Sequence, residues 1–420
     1  MKSMDTTPAS GRSARALESE VVIVGARVAG AATATHLAKA GHDVLMLDRA
    51  DFPSDTISTH VIARSGMVLL DRLGVVGDLV ESGAPPLRLV EFSSALGFLS
   101  RTVKDRYGVD FVMAPRRYVL DDLLQRAALV AGARLRAGVS VDGVLRDASG
   151  RVVGVHGHDG SGPIEVYARH VVGADGLSSR IARSVDAQPT IVRPSSGACQ
   201  YAYFAGDWEA IEYHLSDGVF AGVFPTHGGE ACVWAITTES LARQYRSRLH
   251  DTGGPDEALE AVLSDHAPEL AKRLGPGDQR TPVRGMLRMP NHFRKPFGPG
   301  WSLVGDAGYH RDAITGHGIS DALRDAELLA QAVDTSLRCP SFEVPALARY
   351  ESHRDRMSAR IFEITVALAA FPDQATFVAL QRDLAVAIDD LAGELHSRPL
   401  PRAADARAGA PTHAALTAPA

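Results

Sequence analysis

The sequence predicts an α/β protein: a parallel sheet with crossover helices, an inserted antiparallel sheet and a helical C-terminus. Three observations carry this. Glu20-Val21-Val22-Ile23-Val24 is a continuous apolar run, the pattern of a strand buried on both faces. Residues 197–238 instead alternate, as strands with one buried face do. Residues 342–395 read as mostly helical.

Taken in order, the first apolar strand runs into a glycine turn and a helix of small residues, about Ala29–Lys39, ending at Gly41. A second strand, Asp43–Leu47, completes a βαβ unit of about 30 residues. Short alternating strands are expected from Leu87 to Val112, and a helix over Arg117–Val130. Residues 133–172 read as a β-meander with turns at Ser149-Gly150 and Gly160-Ser161-Gly162, closing on the strand Arg169–Val172. In the inserted sheet Tyr201 and Tyr203 share a face, followed by Tyr213, Phe220–Phe224 and Ala231–Thr237. The buried strand Trp301-Ser302-Leu303-Val304 precedes another glycine turn and a long helix, about Ile319–Val333. The α/β domain is therefore discontinuous: 19–86, 112–190 and 282–340. The sheet domain takes 87–111 and 191–281, and helices take 341–395. Residues 1–18 and 396–420, rich in Ala, Pro, Ser, Thr and Arg, read as disordered tails.

Composition narrows the function. A net charge of −6 with no basic stripe argues against nucleic acid as a partner. Three cysteines, Cys199, Cys232 and Cys339, make no disulfide framework in 420 residues and have no metal-ligand spacing. They point to a reducing compartment. With no signal-peptide pattern in 1–18 and no long apolar span, a cytoplasmic protein is expected. Arginine greatly outnumbers lysine, as in chains from GC-rich bacterial genomes. Nothing in the sequence sets an oligomeric state.

The first motif is Gly25-Ala26-Arg27-Val28-Ala29-Gly30, between the first strand and its helix. Glycine there permits a tight turn and the close approach of backbone to a pyrophosphate at the helix N-terminus. The middle glycine of the usual pattern is replaced by Arg27. Asp48, with Arg49 beside it, ends the second strand where an acid binds ribose hydroxyls, the mark of a Rossmann-type dinucleotide site. A plain glycine turn with a capping acid uses the same residues.

The second motif, Gly173-Ala174-Asp175-Gly176-Leu177-Ser178-Ser179-Arg180, resembles the Asp-Gly segment of flavoprotein monooxygenases of the para-hydroxybenzoate hydroxylase type. Geranylgeranyl reductases and flavin halogenases of the same superfamily carry a similar one. The resemblance implies that Asp175 and Arg180 position FAD near a transient nicotinamide path. Gly305-Asp306-Ala307-Gly308-Tyr309-His310, followed by Gly316-His317-Gly318-Ile319-Ser320, is similar to the family's Gly-Asp segment, whose acid binds the ribityl chain. Amides near Gly318 would face the N1–C2=O edge of the flavin, where a helix N-terminus stabilises negative charge by roughly 0.3–2 kcal/mol. The family's proline after Gly-Asp is absent, since this chain reads Asp312-Ala313-Ile314. Arg117, opening Arg117-Tyr118-Val119-Leu120-Asp121 with Leu124 beyond, resembles an arginine placed near adenosine and pyrophosphate.

The resemblance implies an FAD-binding domain under an inserted substrate-binding sheet, with FAD as cofactor and NADPH or NADH as transient reductant. The expected activity is monooxygenation, through a flavin C4a-hydroperoxide formed with O2, of a small, largely apolar organic substrate by hydroxylation or epoxidation. The alternative is C=C reduction, because Phe220-Ala221-Gly222-Val223-Phe224-Pro225 resembles the Phe-Pro strand of geranylgeranyl reductases. Halogenases have tryptophans where Phe220 and Gly222 stand, and no catalytic lysine is evident. Escort proteins with this fold and no redox chemistry are a further alternative. His60 and His310 are the candidate catalytic acid–bases. Tyr201, Tyr203, Tyr213, Phe220, Phe224 and Trp234 either line a substrate pocket or pack the sheet on its own core. His156 and His158 have no third ligand, and no metal is expected.

Overall fold

A computed structural model of the chain describes residues 15–58, 61–248, 254–275 and 277–399. Strand β1 (Arg15–Val24), helix α1 (Val28–Lys39) and β2 (Val44–Leu47) form the expected βαβ unit, with β2 parallel to β1. β1 begins inside the segment read as a tail, because Arg15–Ser19 pairs in register with Ile164–Ala168. Two helices follow, α2 (Arg64–Leu73) and α3 (Val76–Glu81), then the hairpin β3 (Leu89–Ser94) and β4 (Gly97–Thr102). Helix α4 spans Arg117–Val130, the range expected for it.

The next strands are β5 (Arg134–Arg136), β6 (Ser140–Arg146), β7 (Val152–Asp159) and β8 (Gly162–Gly173). Here the meander reading needs correction. β5 lies parallel to β2, delivered there by the α4 crossover, and only β6–β8 form the meander. β8 then runs on as the parallel neighbour of β1. After α5 (Arg180–Ser184) and β9 (Pro189–Arg193) comes the inserted sheet: β10 (Ala198–Ala205), β11 (Ile211–Ser216), β12 (Val219–Pro225) and β13 (Glu230–Thr237). Helices α6 (Glu239–Arg248), α7 (Pro255–His266) and α8 (Pro268–Ala271) cover one side of it. The chain returns through β14 (Arg284–Leu287), β15 (Asn291–Arg294), β16 (Phe297–Gly298), β17 (Trp301–Leu303) and β18 (Tyr309–His310). It ends in α9 (Gly318–Arg338), α10 (Glu343–Ala369) and α11 (Gln374–Ser397).

The main sheet has the path β16-β17-β8-β1-β2-β5, with β17, β8, β1, β2 and β5 mutually parallel. The inserted sheet runs β14-β10-β13-β12-β11-β3-β4. Period-two alternation sorts its residues by size. Ala202, Val219, Ala221, Val223, Ala231, Val233 and Ala235 pack on α7 and its neighbours. The large side chains point the other way, into one continuous core with α1, α2, α9 and the C-terminal helices.

Candidate functional site

Three segments far apart in the chain meet at the C-terminal ends of β1, β2, β8 and β17. The Gly25 amide donates to Leu47 O (2.7 Å), Ala174 N to Val24 O (2.7 Å) and Val304 N to Gly173 O (2.9 Å). Open parallel sheets bind ligands outside these strand ends. Gly25 has φ +102°, and a side chain there would strike the carbonyl of Ala174. A Cβ at Gly30 would occupy the space of the Gly25 carbonyl oxygen, and one at Gly305 would sit 2.8 Å from Ala29 Cβ. Val28 is buried in the first turn of α1, and the Gly316 loop packs against Val61. The glycines thus close a cradle that any Cβ would fill.

Asp48 braces this cradle. Its Oδ2 accepts from Ala26 N (2.8 Å) and its Oδ1 from Ala50 N (2.9 Å), while Arg49 is exposed. Arg27, in place of the middle glycine, donates to Asp121 (2.7 Å) and to the Ser54 carbonyl (3.0 Å). Arg117 grips the same buried carboxylate at 2.9 Å. Two guanidinium groups thus share one carboxylate beside the glycine turn. Asp306 is the one exposed residue in the run 301–309, so its carboxylate faces outward from an otherwise closed segment. A Cβ on Gly318, first residue of α9, would meet nothing within 4 Å, while Ile319 behind it is buried. Glycine walls, a ribose-side acid, an outward acid and open helix-start amides fit an extended dinucleotide.

Asp175 follows the end of β8, and its amide lies 3.1 Å from where a Cβ on Gly25 would sit. The Asp175 carboxylate accepts from Arg180 N (2.6 Å), Ile181 N (3.1 Å) and Ser179 Oγ (2.5 Å), folding its own turn. Burial raises its pKa. The Arg180 side chain is half exposed and pairs with Asp142 at 2.8 Å.

Of the histidines, His60 lies outside the described residues. His310 donates from Nδ1 to the Pro290 carbonyl and stacks on His292 in the small sheet β18-β15-β9. His158 pairs with Asp142 at 2.9 Å. His317, capping α9, is buried and its pKa is pushed down to about 4 by that burial. Sequence reading passed over its neighbour Arg311, whose buried guanidinium lies 2.6 Å from Asp321 Oδ2 in the first turn of α9. An isolated arginine in a loop gives no pattern to read.

All six aromatic candidates are on the face of the inserted sheet turned towards the cradle's side of the core. Cross-strand pairing lines them up: Tyr201 opposite Trp234, Trp234 opposite Gly222, Gly222 opposite Tyr213, and Tyr213 opposite Phe92. Gly222 is glycine because a Cβ would lie 2.5 Å from the Trp234 ring. Tyr213 stacks on Phe220 at 5.4 Å, and Phe224 lies 5.2 Å from Trp234. The Trp234 Nε1 is a buried donor without an acceptor among the described residues. Tyr203 lies under the Arg116 guanidinium at 3.6 Å, and Arg116 pairs with Asp55 in the loop after β2. Tyr201 Oη accepts from Ser58 N of that same loop (3.2 Å), and burial pushes its phenol up to about 12. Burial pushes the Cys199 thiol up to about 12 and raises that of Cys232. The small-residue face packs on the sheet's own helices, and the aromatic face packs into the main core, where Phe220 lies 5.1 Å from Phe377 of α11.

The comparisons agree with this geometry. A menaquinone reductase of Mycobacterium tuberculosis is 28% identical over 75% of this chain and 76% of its own. A digeranylgeranylglycerophospholipid reductase of Methanocella arvoryzae is 26% identical over 80% of this chain and 82% of its own. The solved structure of a probable FAD-dependent monooxygenase from Pseudomonas aeruginosa shares the fold, with TM-score 0.72 and 21% identity over 87% of this chain and all of that one (100%). The FAD binding domain model matches residues 18–365, most of the chain including every segment of the cradle, and the protein belongs to that family as an FAD-dependent oxidoreductase.

Proposed function

We propose that the protein is an FAD-dependent monooxygenase that hydroxylates or epoxidises an apolar substrate of isoprenoid character. The observation that carries this reading is the aromatic row: from Trp234 through Gly222 and Tyr213 to Phe92 it contains no charged side chain. Bound FAD supplies the redox chemistry with O2, drawing electrons from NADPH or NADH. Gly25, Gly30, Asp48, Asp306 and the amides of Gly318 and Ile319 hold it. Val28, Ala29, Gly305 and Gly316 shape the walls around it.

The chain's own part is to hold an apolar molecule against the cofactor and exclude water. Tyr213, Phe220, Phe224 and Trp234 offer mainly ring surface, with the Tyr213 hydroxyl and the Trp234 Nε1–H as their polar atoms. Tyr201, Cys199 and Cys232 remain neutral at physiological pH because burial raises all three, so none is a base that would deprotonate a phenol. This favours an alkene or an unactivated carbon over a phenol as the reacting group. His310 is taken up by a backbone carbonyl, and a general acid–base role falls to His60 if to either.

Reduction of a carbon–carbon double bond is the second reading, favoured by the two reductases at 28% and 26% identity, whose names specify menaquinone and a geranylgeranyl lipid. One experiment separates the two. Purified yellow protein is mixed with NADPH or NADH and a panel of isoprenoid and phenolic compounds, and O2 uptake and product mass are followed together. Gain of one oxygen with O2 consumption supports monooxygenation. Gain of two hydrogens without it replaces that reading with reduction, and colourless, inert protein removes both.

A further inference from the structure

An exposed sheet edge in water normally carries charge, proline or a bulge, because unpaired backbone beside apolar side chains invites association. The β3–β4 hairpin does the reverse. Leu96, Phe98 and Leu99 are 62%, 65% and 42% exposed, and every residue of β4 is exposed, so this edge strand is open on both faces while β3 behind it packs Phe92 on the core. The hairpin tip is fixed in this position. The Gln374 side chain accepts from Ala95 N (3.0 Å) and donates to Asp217 (2.9 Å).

Behind the apolar tip stand cations. Arg101 and Lys104 are exposed and have no ion pair among the described residues, whereas Arg88 and Arg106 are neutralised by Asp110 and Asp389. Asp105 is the only acid between residues 95 and 107. An apolar tip backed by unpaired cations matches the boundary of a phospholipid layer, with acyl chains below and anionic headgroups above. The register adds a direction. Leu99 pairs opposite Phe92, which extends the row of Trp234, Gly222 and Tyr213 out to the exposed edge.

We propose that the β3–β4 hairpin docks the protein on an anionic phospholipid surface, and that an apolar substrate dissolved there passes along this row to the aromatic face. No helix among the described residues is long and apolar enough to cross a membrane, and the hairpin is the proposed point of contact. The inference builds on the apolar-substrate reading, but its test involves no turnover, so the two can fail separately.

Full-length FAD-loaded protein is sedimented with vesicles of phosphatidylcholine containing phosphatidylglycerol, and with phosphatidylcholine alone. Wild type is expected to pellet with the anionic vesicles. Leu96→Ser/Phe98→Ser/Leu99→Ser should lower the bound fraction by about tenfold or more. Arg101→Gln/Lys104→Gln should weaken binding by about fivefold per cation, and only to the anionic vesicles. All substituted side chains are exposed, and an unchanged flavin spectrum verifies folding of each variant. Wild type that stays in the supernatant with both vesicle types overturns the proposal, as does a triple variant that pellets like wild type. A wild-type dimer on sizing that the triple variant abolishes, without vesicle binding, assigns the hairpin to a second copy of the chain instead.

Discussion

The cradle at the strand ends and the aromatic face of the inserted sheet are built by opposite means. In the cradle the contacts are backbone to backbone: Gly25, Gly30 and Gly305 bring main chain and small side chains together where a Cβ does not fit. On the aromatic face the contacts are ring to ring, Tyr213 on Phe220 at 5.4 Å and Phe220 near Trp234 at 5.3 Å. A site made of backbone fixes one ligand shape and tolerates almost no substitution. A surface made of side chains can be refitted residue by residue.

The sharpest way to break this contrast is Gly30→Val, which places side-chain atoms where the Gly25 carbonyl sits. We expect purified protein without flavin absorbance. Retention of full yellow colour would show that the turn yields and that the cradle is as adaptable as the sheet. Next comes Phe220→Ala. Phe220 is fully buried, and truncating a buried aromatic costs about 3–5 kcal/mol, read as a lower urea midpoint. Flavin content per mole of folded protein should not change, and a parallel loss of flavin would merge the two regions into one unit.

Acid should also act more on the cradle's side. Burial holds His36 in α1, His170 in β8, His292 in β15 and His317 at α9 at about pKa 4. Above the unfolded value of about 6.5 both states are neutral and stability is complete. Below it the unfolded chain takes up protons that the folded chain refuses, so stability falls from about pH 6.5 down to about pH 4. Each such histidine contributes at most about 3 kcal/mol to that fall. His170→Gln should flatten the dependence of the urea midpoint on pH between neutrality and pH 5. An unaltered slope would mean that His170 takes up a proton as readily folded as unfolded. The smallest effect is expected from Tyr201→Phe, which removes the hydroxyl that joins the sheet to the loop after β2 through Ser58 N. A net hydrogen bond of this kind contributes about 1 kcal/mol, measurable as a small midpoint shift with flavin retained.

The cradle was the more legible of the two regions. Its glycines announce themselves because only glycine suits those positions, and the acids at 48 and 306 stand at fixed offsets from them. Arg117–Val130 was readable as a helix from its apolar spacing alone. Less was visible where meaning depends on a distant partner. Alternation in 197–238 marked the large residues but could not say what they face, because that is decided by elements distant in sequence, such as Phe377 of α11 against Phe220. The strand Arg134–Arg136 reads like its neighbours in the meander, yet its partner is β2, some ninety residues earlier. Arg116 and Arg311 are single arginines whose importance lies in the rings and carboxylates folded around them. The Asp175 carboxylate accepts from the amides of its own turn, a local bond that the sequence alone does not announce.

The order of the strands that form the cradle governs when the protein can acquire its cofactor. β1 is synthesised well before its partner β8, which begins at residue 162, and β17 completes the row only at residue 303. A nascent chain shorter than this has the glycine turn but lacks two of the three walls. Pairing over such sequence separations is slow, because the connecting loop must be closed before any contact is gained. Flavin binding is therefore expected only once β17 has been synthesised. Cells short of riboflavin should accumulate a full-length, incompletely consolidated form of this protein, and protease sensitivity at the β1–β8 seam would reveal it.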